Sequence, residues 1–531
     1  MFSKNKFFML VLALMLSAVL AACGTQDDAN PAETGDADVE ATAGGDLIIA
    51  VPSDAVSLDP HGSNDVPSSN VSTNIYDSLL YQDADGELHA ALATEWELVE
   101  DTVWEFQLRD GVTFHDGSAF NAEVVKANFD RVLDPDVASP RSFLFDMITE
   151  VTVVDEFTVQ FTTEFPFAPL PSHLAHTGGG IISLDSIEAD YAAMADGKDP
   201  GSVINESPVG TGPFVFDDWV PGQYVKLAKN DNYWGEPAKV DTVTFNVVPE
   251  DLTRVAELET GNAHIIEQVR STDVSRIDAN ADSFVELTDS LSLAYIGFNL
   301  DKEPFNDVRV RQAISMAIDK DMIINGLLDG YGTPAVGPLA PNVFGFNENV
   351  SPIEYNIEKA KELLADAGYE DGFETTIWTN DNPARMDTAE FVQDQLKDIG
   401  IDVSIEVIEW GTYLASTANG EHDMFILGWV TVTADADYGM YALFHSNNQG
   451  EAGNRTFLAN NELDELLDAA RQEGDPDVRF DLYTQAQEIL VEEAPMLYTH
   501  HQQYIVGVSN DIQGFWQHPN GLFQLQNVTL K

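Results

Sequence analysis

Apolar positions change their period along the chain, and each change marks an element. Phe7 to Leu20 is an apolar run of 14 residues, short of the roughly 20 that a membrane-spanning helix needs. Strand signals begin at Leu47-Ile48-Ile49-Ala50-Val51. Trp104, Phe106 and Leu108 alternate with Glu105 and Gln107, the period of two of a half-buried strand, so residues 95–108 are predicted to form a hairpin. Val151, Val153, Phe157, Val159 and Phe161 flank Asp155-Glu156 and predict a second one. Later the period becomes helical. Val310, Ala313, Ile314, Ala317 and Ile318 share one face, as do Ala360, Leu363, Leu364 and Ala367, with Asn356 placed to cap the second helix and Gly368 to end it. Thr375–Trp378 reads as a strand followed by a helix from about Met386. Met424-Phe-Ile-Leu reads as an apolar strand ending at Gly428-Trp429. Mixed strands and helices without an internal repeat of roughly 20 to 50 residues predict an α/β protein.

Charge narrows the function. The 531 residues carry 90 acids against 25 bases, a net charge of −65. Binding to a phosphate backbone needs a basic footprint, so a nucleic-acid partner is excluded, as is recruitment to an anionic membrane by a polybasic face. Hydrophobic residues at 44% and aromatics at 10% separate the chain from disordered acidic proteins. At roughly 150 residues per domain the length allows three or four lobes. Such an excess repels itself in dilute buffer and is screened by salt, with a Debye length of about 3 Å at 1 M. This predicts a halophilic acidic surface facing a saline exterior. The melting temperature is expected to rise with NaCl; equal stability at 10 mM and 1 M would refute it.

The N-terminus reads as an address. Lys4 and Lys6 precede the apolar run, and Leu20-Ala21-Ala22-Cys23 follows it. This resembles a lipoprotein signal peptide over 1–22, with Cys23 lipidated to anchor the chain in the membrane from outside the cytoplasm. Cys23 is the single cysteine, so the mature chain offers no disulfide and no cysteine nucleophile. Gln26 to Asp46 holds seven acids and no base, and residues 23–45 are expected to act as a flexible acidic tether.

Catalytic motifs are missing: there is no G-x-S-x-G, no H-E-x-x-H and no G-x-x-x-x-G-K-[ST] in the sequence. An enzyme and a cofactor are therefore not expected. His173 with His176, and His500-His501, have no carboxylate spacing to make a metal site. Asp278-Ala-Asn280-Ala-Asp282 begins like a calcium loop but has Ser283 at position six and Asp289 at position twelve.

Five segments in series carry a resemblance. They are Ala91–Trp96 leading into Phe106–Gly117; Ser207-Pro-Val-Gly-Thr-Gly-Pro-Phe214 with Asn230-Asp-Asn-Tyr-Trp-Gly235; Asp307–Asp319; Ala360–Gly368; and Gly420–Trp429. Together, over roughly residues 45–531, they resemble the family-5 solute-binding proteins of ABC importers, closest to the glutathione-type branch. The resemblance implies a three-lobed, type II periplasmic-binding-protein-like fold. Lobe I would comprise 46–75, 206–288 and 501–531, lobe II 76–205 and lobe III 289–500. It implies capture of a small peptide, with glutathione as one candidate, and delivery to an ABC permease and its ATPase on separate chains. A nickel-chelate receptor, in which His445 or His500-His501 reach the metal complex, and a non-transport peptide sensor or chaperone are the alternatives.

It also implies a site. Arg385 would pair with a ligand carboxylate, and Gly428 and Trp429 would line the cleft. Peptide receptors of the family carry an Asp three residues after this Trp; Val432 stands there in this chain. The run Thr431-Val-Thr433-Ala-Asp435-Ala-Asp437-Tyr438 offers Asp435 or Asp437 as replacement, with Thr431 and Thr433 as added polar contacts.

Overall fold

The computed structural model describes residues 44–450 and 453–531. The leader, the lipidation site Cys23 and the acidic segment up to residue 43 lie outside the described residues.

The predicted hairpins form. Ala93–Glu100 pairs with Val103–Leu108, and Ile148–Asp155 with Thr158–Thr163, in one four-stranded antiparallel sheet. Phe106, Phe129, Phe145 and Phe161 interlock edge to face in the core beneath it, the geometry that aromatic quadrupoles favour.

A second, mixed sheet of 12 strands runs through the rest of the chain. Its spine is the 14-residue strand Met496–Ser509. The first part of this strand pairs with Ser292–Phe298, and its second part with Ser283–Asp289 and Ile265–Ile266. On one side follow Met424–Val430, Phe373–Thr379 and Ile401–Val407; on the other Asp46–Val51, Thr242–Val247, Tyr224–Lys229 and Phe214–Val220. Met424 and Ile426 pack into one core while Phe425 and Leu427 pack into the core on the opposite face. Burial on both faces is why this strand reads as a continuous apolar run rather than an alternating one.

Caps set the helix limits. Asn356 accepts from the Lys359 N–H at 3.0 Å at the start of Ile357–Asp366, and Gly368 follows in a left-handed conformation at φ +92. The helix after Phe373–Thr379 spans Pro383–Leu396. Asn382 caps it by accepting from the Arg385 N–H at 3.1 Å, and proline suits its first position. Arg385 therefore lies inside the first turn rather than before it.

Two buried charges shape the part of the fold around Asp46–Val51. Arg131 is fully buried and donates to Asp59 at 2.7 Å and Asp190 at 3.0 Å, tying residues 57–65 to the helices Ala122–Val132 and Leu184–Ala195. Glu267 follows the strand Ile265–Ile266 and is buried; burial pushes its carboxyl from 4.5 up to about 7, against the pull of Arg254. The folded state thus keeps a proton that the unfolded chain has released. Stability from this group is full below the unfolded value, declines as pH rises toward 7 and stays lower above it. Glu267→Gln is expected to stabilise the protein by about 3 kcal/mol at pH 8 and by little at pH 4. Urea unfolding of both proteins across that range is the check; parallel pH profiles would contradict it.

Candidate ligand-binding site

A cavity of about 610 Å³ opens between residues 64–82, the end of the strand Met424–Val430 and the C-terminal residues 516–527. That volume is within the roughly 300–1,000 Å³ of small-molecule sites. Its floor is the helix Val66–Ile75, which contributes Ser69, Ser72, Thr73 and Asn74 to the lining. Asp65 caps this helix, accepting from the Ser68 N–H at 2.9 Å, and Pro67 stands in its first turn. The helix buries Ser68, Asn70, Ser72 and Asn74. No apolar period announces it, so the hydrophobic pattern passes over it.

Asp77 lies just beyond the helix. It accepts from the Trp234 indole at 2.7 Å, the Thr211 hydroxyl at 2.8 Å and the Tyr233 hydroxyl at 3.1 Å. Burial nevertheless raises its carboxyl above the ordinary carboxylate range. Arg109 stacks over Trp234 at 4.5 Å. The turn Ser207–Phe214 closes against this stretch, and a Cβ on Gly210 would fall 2.2 Å from the Ile75 carbonyl oxygen. Gly210→Ala is therefore expected to lose about 1–3 kcal/mol of stability and to weaken ligand binding by displacing Tyr76–Ser78. Thermal unfolding beside a binding isotherm reads both effects; an unchanged melting temperature would refute the first.

The opposite wall is the end of the apolar strand. Gly428 and Trp429 both line the cavity, together with Val430, Val432 and Tyr438. Trp429 and Tyr438 lie with ring centroids 5.1 Å apart, and the Trp429 indole N–H is buried without a hydrogen-bond partner. Val432 offers the cavity an apolar side chain.

The other sequence-derived residues lie elsewhere. Thr431 and Thr433 are buried, and neither lines the cavity. The Thr433 carbonyl accepts from the Gln82 amide at 2.8 Å. Asp435 is held bidentately by Arg479 at 2.8 and 3.0 Å. Asp437 meets Arg471 at 3.0 Å and His173 at 3.6 Å, and Arg471 holds it below the ordinary carboxylate range against the opposing effect of burial. Both acids thus spend their charge on buried arginines that do not line the cavity. Arg385 donates to Asn380 Oδ1 at 3.0 Å and stacks over Trp410 at 5.3 Å. It faces Tyr413 and Tyr295, and burial lowers its guanidinium below the ordinary range; it is not among the lining residues.

A basic residue absent from the sequence-derived set lines the cavity. Eight of the twelve arginines lie within 4 Å of a carboxylate. Among the described residues Arg109, Arg141, Arg385 and Arg455 do not. Of these, Arg141 lines the cavity. It is buried and donates to neutral acceptors: the Ser63 carbonyl, Asn64 Oδ1 at 2.8 Å and Ser69 Oγ at 2.9 Å. Burial pulls it down to about 10. The missing carboxylate is the signal that marks it, and it is invisible until the chain is folded.

The metal candidates also have ordinary surroundings. Asp278 and Asn280 accept backbone N–H groups of Val285 and Asp282, closing a turn. His500 and His501 are buried and pushed down to about 4, hence neutral. His445 lies 3.5 Å from Asp468. Among the described residues Asp83, Glu87 and His89 bring their ligand atoms within 4.8 Å of one another, as an exposed surface group.

Residues 87–451 match the family described as bacterial extracellular solute-binding proteins, family 5. The chain belongs to this family. It is 33% identical over 501 residues to the glutathione-binding protein GsiB of Salmonella typhi, covering 92% of this chain and 96% of that one. Its fold is similar to that of DppA from Helicobacter pylori in complex with the peptide STSA, at TM-score 0.82 and 32% identity, covering 92% and 98% of the two chains. It is also similar to a Pseudoalteromonas dipeptide-binding protein in complex with Met-Leu, at TM-score 0.83 and 27% identity, covering 92% and 100%. Family membership makes the chain a solute-binding protein of an ABC importer, working outside the cytoplasm. Among the described residues no helix is long and apolar enough to cross a membrane.

Proposed function

We propose that the protein captures a small peptide or peptide-like solute, glutathione among the candidates, in the 610 Å³ cavity and hands it unchanged to a membrane permease powered by a separate ATPase. The observation that carries this reading is the cavity itself, with the indole of Trp429 on one wall and the polar helix Val66–Ile75 on the other. Its size suits two or three residues. GsiB and the two peptide-bound relatives support the ligand class. Gly428 and Trp429 serve as ligand contacts; Arg385, Thr431, Thr433, Asp435 and Asp437 support the wall or lie apart from it.

In this reading lobe I is 46–75, 206–288 and 501–531, lobe II is 76–205 and lobe III is 289–500. Separate hydrophobic clusters around the four-stranded sheet and within each half of the large sheet support three lobes, while Ile182, Ile187 and Ile204 of the 76–205 segment pack into the cluster of the first lobe. Ligand favours the closed state by its differential affinity for it, with Met496–Ser509 crossing between the halves. Cys23, lipidated, holds the receptor at the membrane.

Native mass spectrometry of the purified protein tests the assignment. A retained peptide or glutathione mass is expected. A nickel-containing mass would move the ligand to the chelate class, and conversion of the ligand by pure protein would overturn the transport reading.

A further inference from the structure

The turn that brings Tyr438 into the cavity wall has an uncommon backbone. Ala434 holds a left-handed conformation at φ +50, which costs energy in any residue with a Cβ. Asp437–Tyr441 is a π-helical turn, a rare form found mostly at functional sites. Such a stretch persists only where its surroundings hold it. Arg479 holds Asp435, and Arg471 holds Asp437. At Arg471 the contacts cross to another part of the chain.

Arg471 is buried, and its guanidinium lies over three rings: Tyr441 of the turn at 3.7 Å, and Phe167 and Phe165 at 5.0 and 5.5 Å. The two phenylalanines follow the strand Thr158–Thr163. Beside them the Ala168 N–H donates to the Arg471 carbonyl at 3.2 Å. His173 Nε2 approaches Asp437 Oδ2 to 3.6 Å, and Phe143 stacks on Tyr438 at 5.9 Å. Among the described residues, Ala168 to Arg471 is the single backbone hydrogen bond between residues 76–205 and 289–500. Contact between the two stretches is therefore thin in hydrogen bonds and centres on one arginine.

The placement of charge makes this contact reversible. Arg471 and Asp437 both belong to 289–500, so parting from Phe165, Phe167 and His173 leaves neither charge without its counter-ion, and no buried charge is stranded. The Arg131 triad differs: its charges sit on separate segments, and separating them would strand all three. We propose that Arg471 is a positioning residue for ligand retention. Clasped by Phe165 and Phe167, it latches 165–173 to the turn 437–441 once the protein has closed, and so slows release of the bound solute. Arg471 does not line the cavity; it acts through Tyr438 and, across the 5.1 Å ring contact, Trp429. This deepens the receptor reading above and rests on its closing motion.

Hydrogen–deuterium exchange at the Ala168 amide reads the latch, in the unaltered protein and in Arg471→Lys, each alone and with saturating Met-Leu or glutathione. Lysine keeps a charge for Asp437 and loses the planar stacking on the rings. A bound probe is expected to slow exchange at Ala168 in the unaltered protein and much less in the variant. Its dissociation rate is expected to rise about tenfold in the variant, the scale of a desolvated cation–π contact, with the association rate unchanged. Phe165→Leu, which leaves the ion pair intact, is expected to give the same split between the two rates. A merely structural role would lower the melting temperature and leave the dissociation rate as it was; that result, or equal protection of Ala168 in the two proteins, would overturn the latch while the receptor stands. Where neither probe binds the unaltered protein, the peptide reading fails and the comparison without probe decides: faster exchange at Ala168 in Arg471→Lys supports the latch, and equal exchange overturns it.

Discussion

Arg131→Met is expected to destabilise the folded protein by about 3–5 kcal/mol or more. Arg131 is the fully buried partner of two buried carboxylates, Asp59 and Asp190. Removing one member of a buried ion pair leaves the other charge in a poorly polarisable interior, and that loss is of this order. Two carboxylates are abandoned here, and the surroundings carry a strong negative excess. The replacement fills most of the volume, so the loss reports charge rather than a cavity. Asp59 accepts from the His61 N–H at 2.9 Å and so orders the stretch that leads to Ser63 and Asp65. Ligand binding should therefore weaken along with stability. Urea unfolding at neutral pH is the check; a loss below about 1 kcal/mol would show that the triad contributes little.

Trp429→Ala is expected to weaken ligand binding by about 2–4 kcal/mol, roughly 30- to 1,000-fold. The indole is a broad rigid wall of the cavity, carries an unpartnered buried N–H and packs against both the four-stranded unit and the core around Phe425. Trp429→Phe keeps the apolar wall and loses the donor, so it should lie between the two. Calorimetry with the retained ligand measures all three. Alanine binding as tightly as tryptophan would take this wall out of the site.

Which features were legible follows from which physics the sequence exposes. The strands at 93–108 and 148–163 were visible because one face is buried and the period of two shows it. The helix Ile357–Asp366 was visible from its apolar face and its Asn356 cap. The helix Val66–Ile75 was not, because it buries serine and asparagine beside a polar cavity. Its legible trace was only the Asp-x-Pro start. Arg385 was singled out by the family resemblance, which cannot say which arginines lack a carboxylate. Asp435 and Asp437 were offered as replacements for the family's Asp at the Val432 position, and their partners Arg479 and Arg471 lie far enough along the chain that only folding joins them.

The central claim is that the solute binds between the helix Val66–Ile75 and the strand end at Trp429. Hydrogen–deuterium exchange with and without the retained ligand tests it most directly. Added ligand is expected to protect backbone amides in 64–82, 175–177, 428–438 and 516–527, the segments that line the cavity. Protection confined to residues 380–420 around Arg385, with these four segments unchanged, would contradict the account.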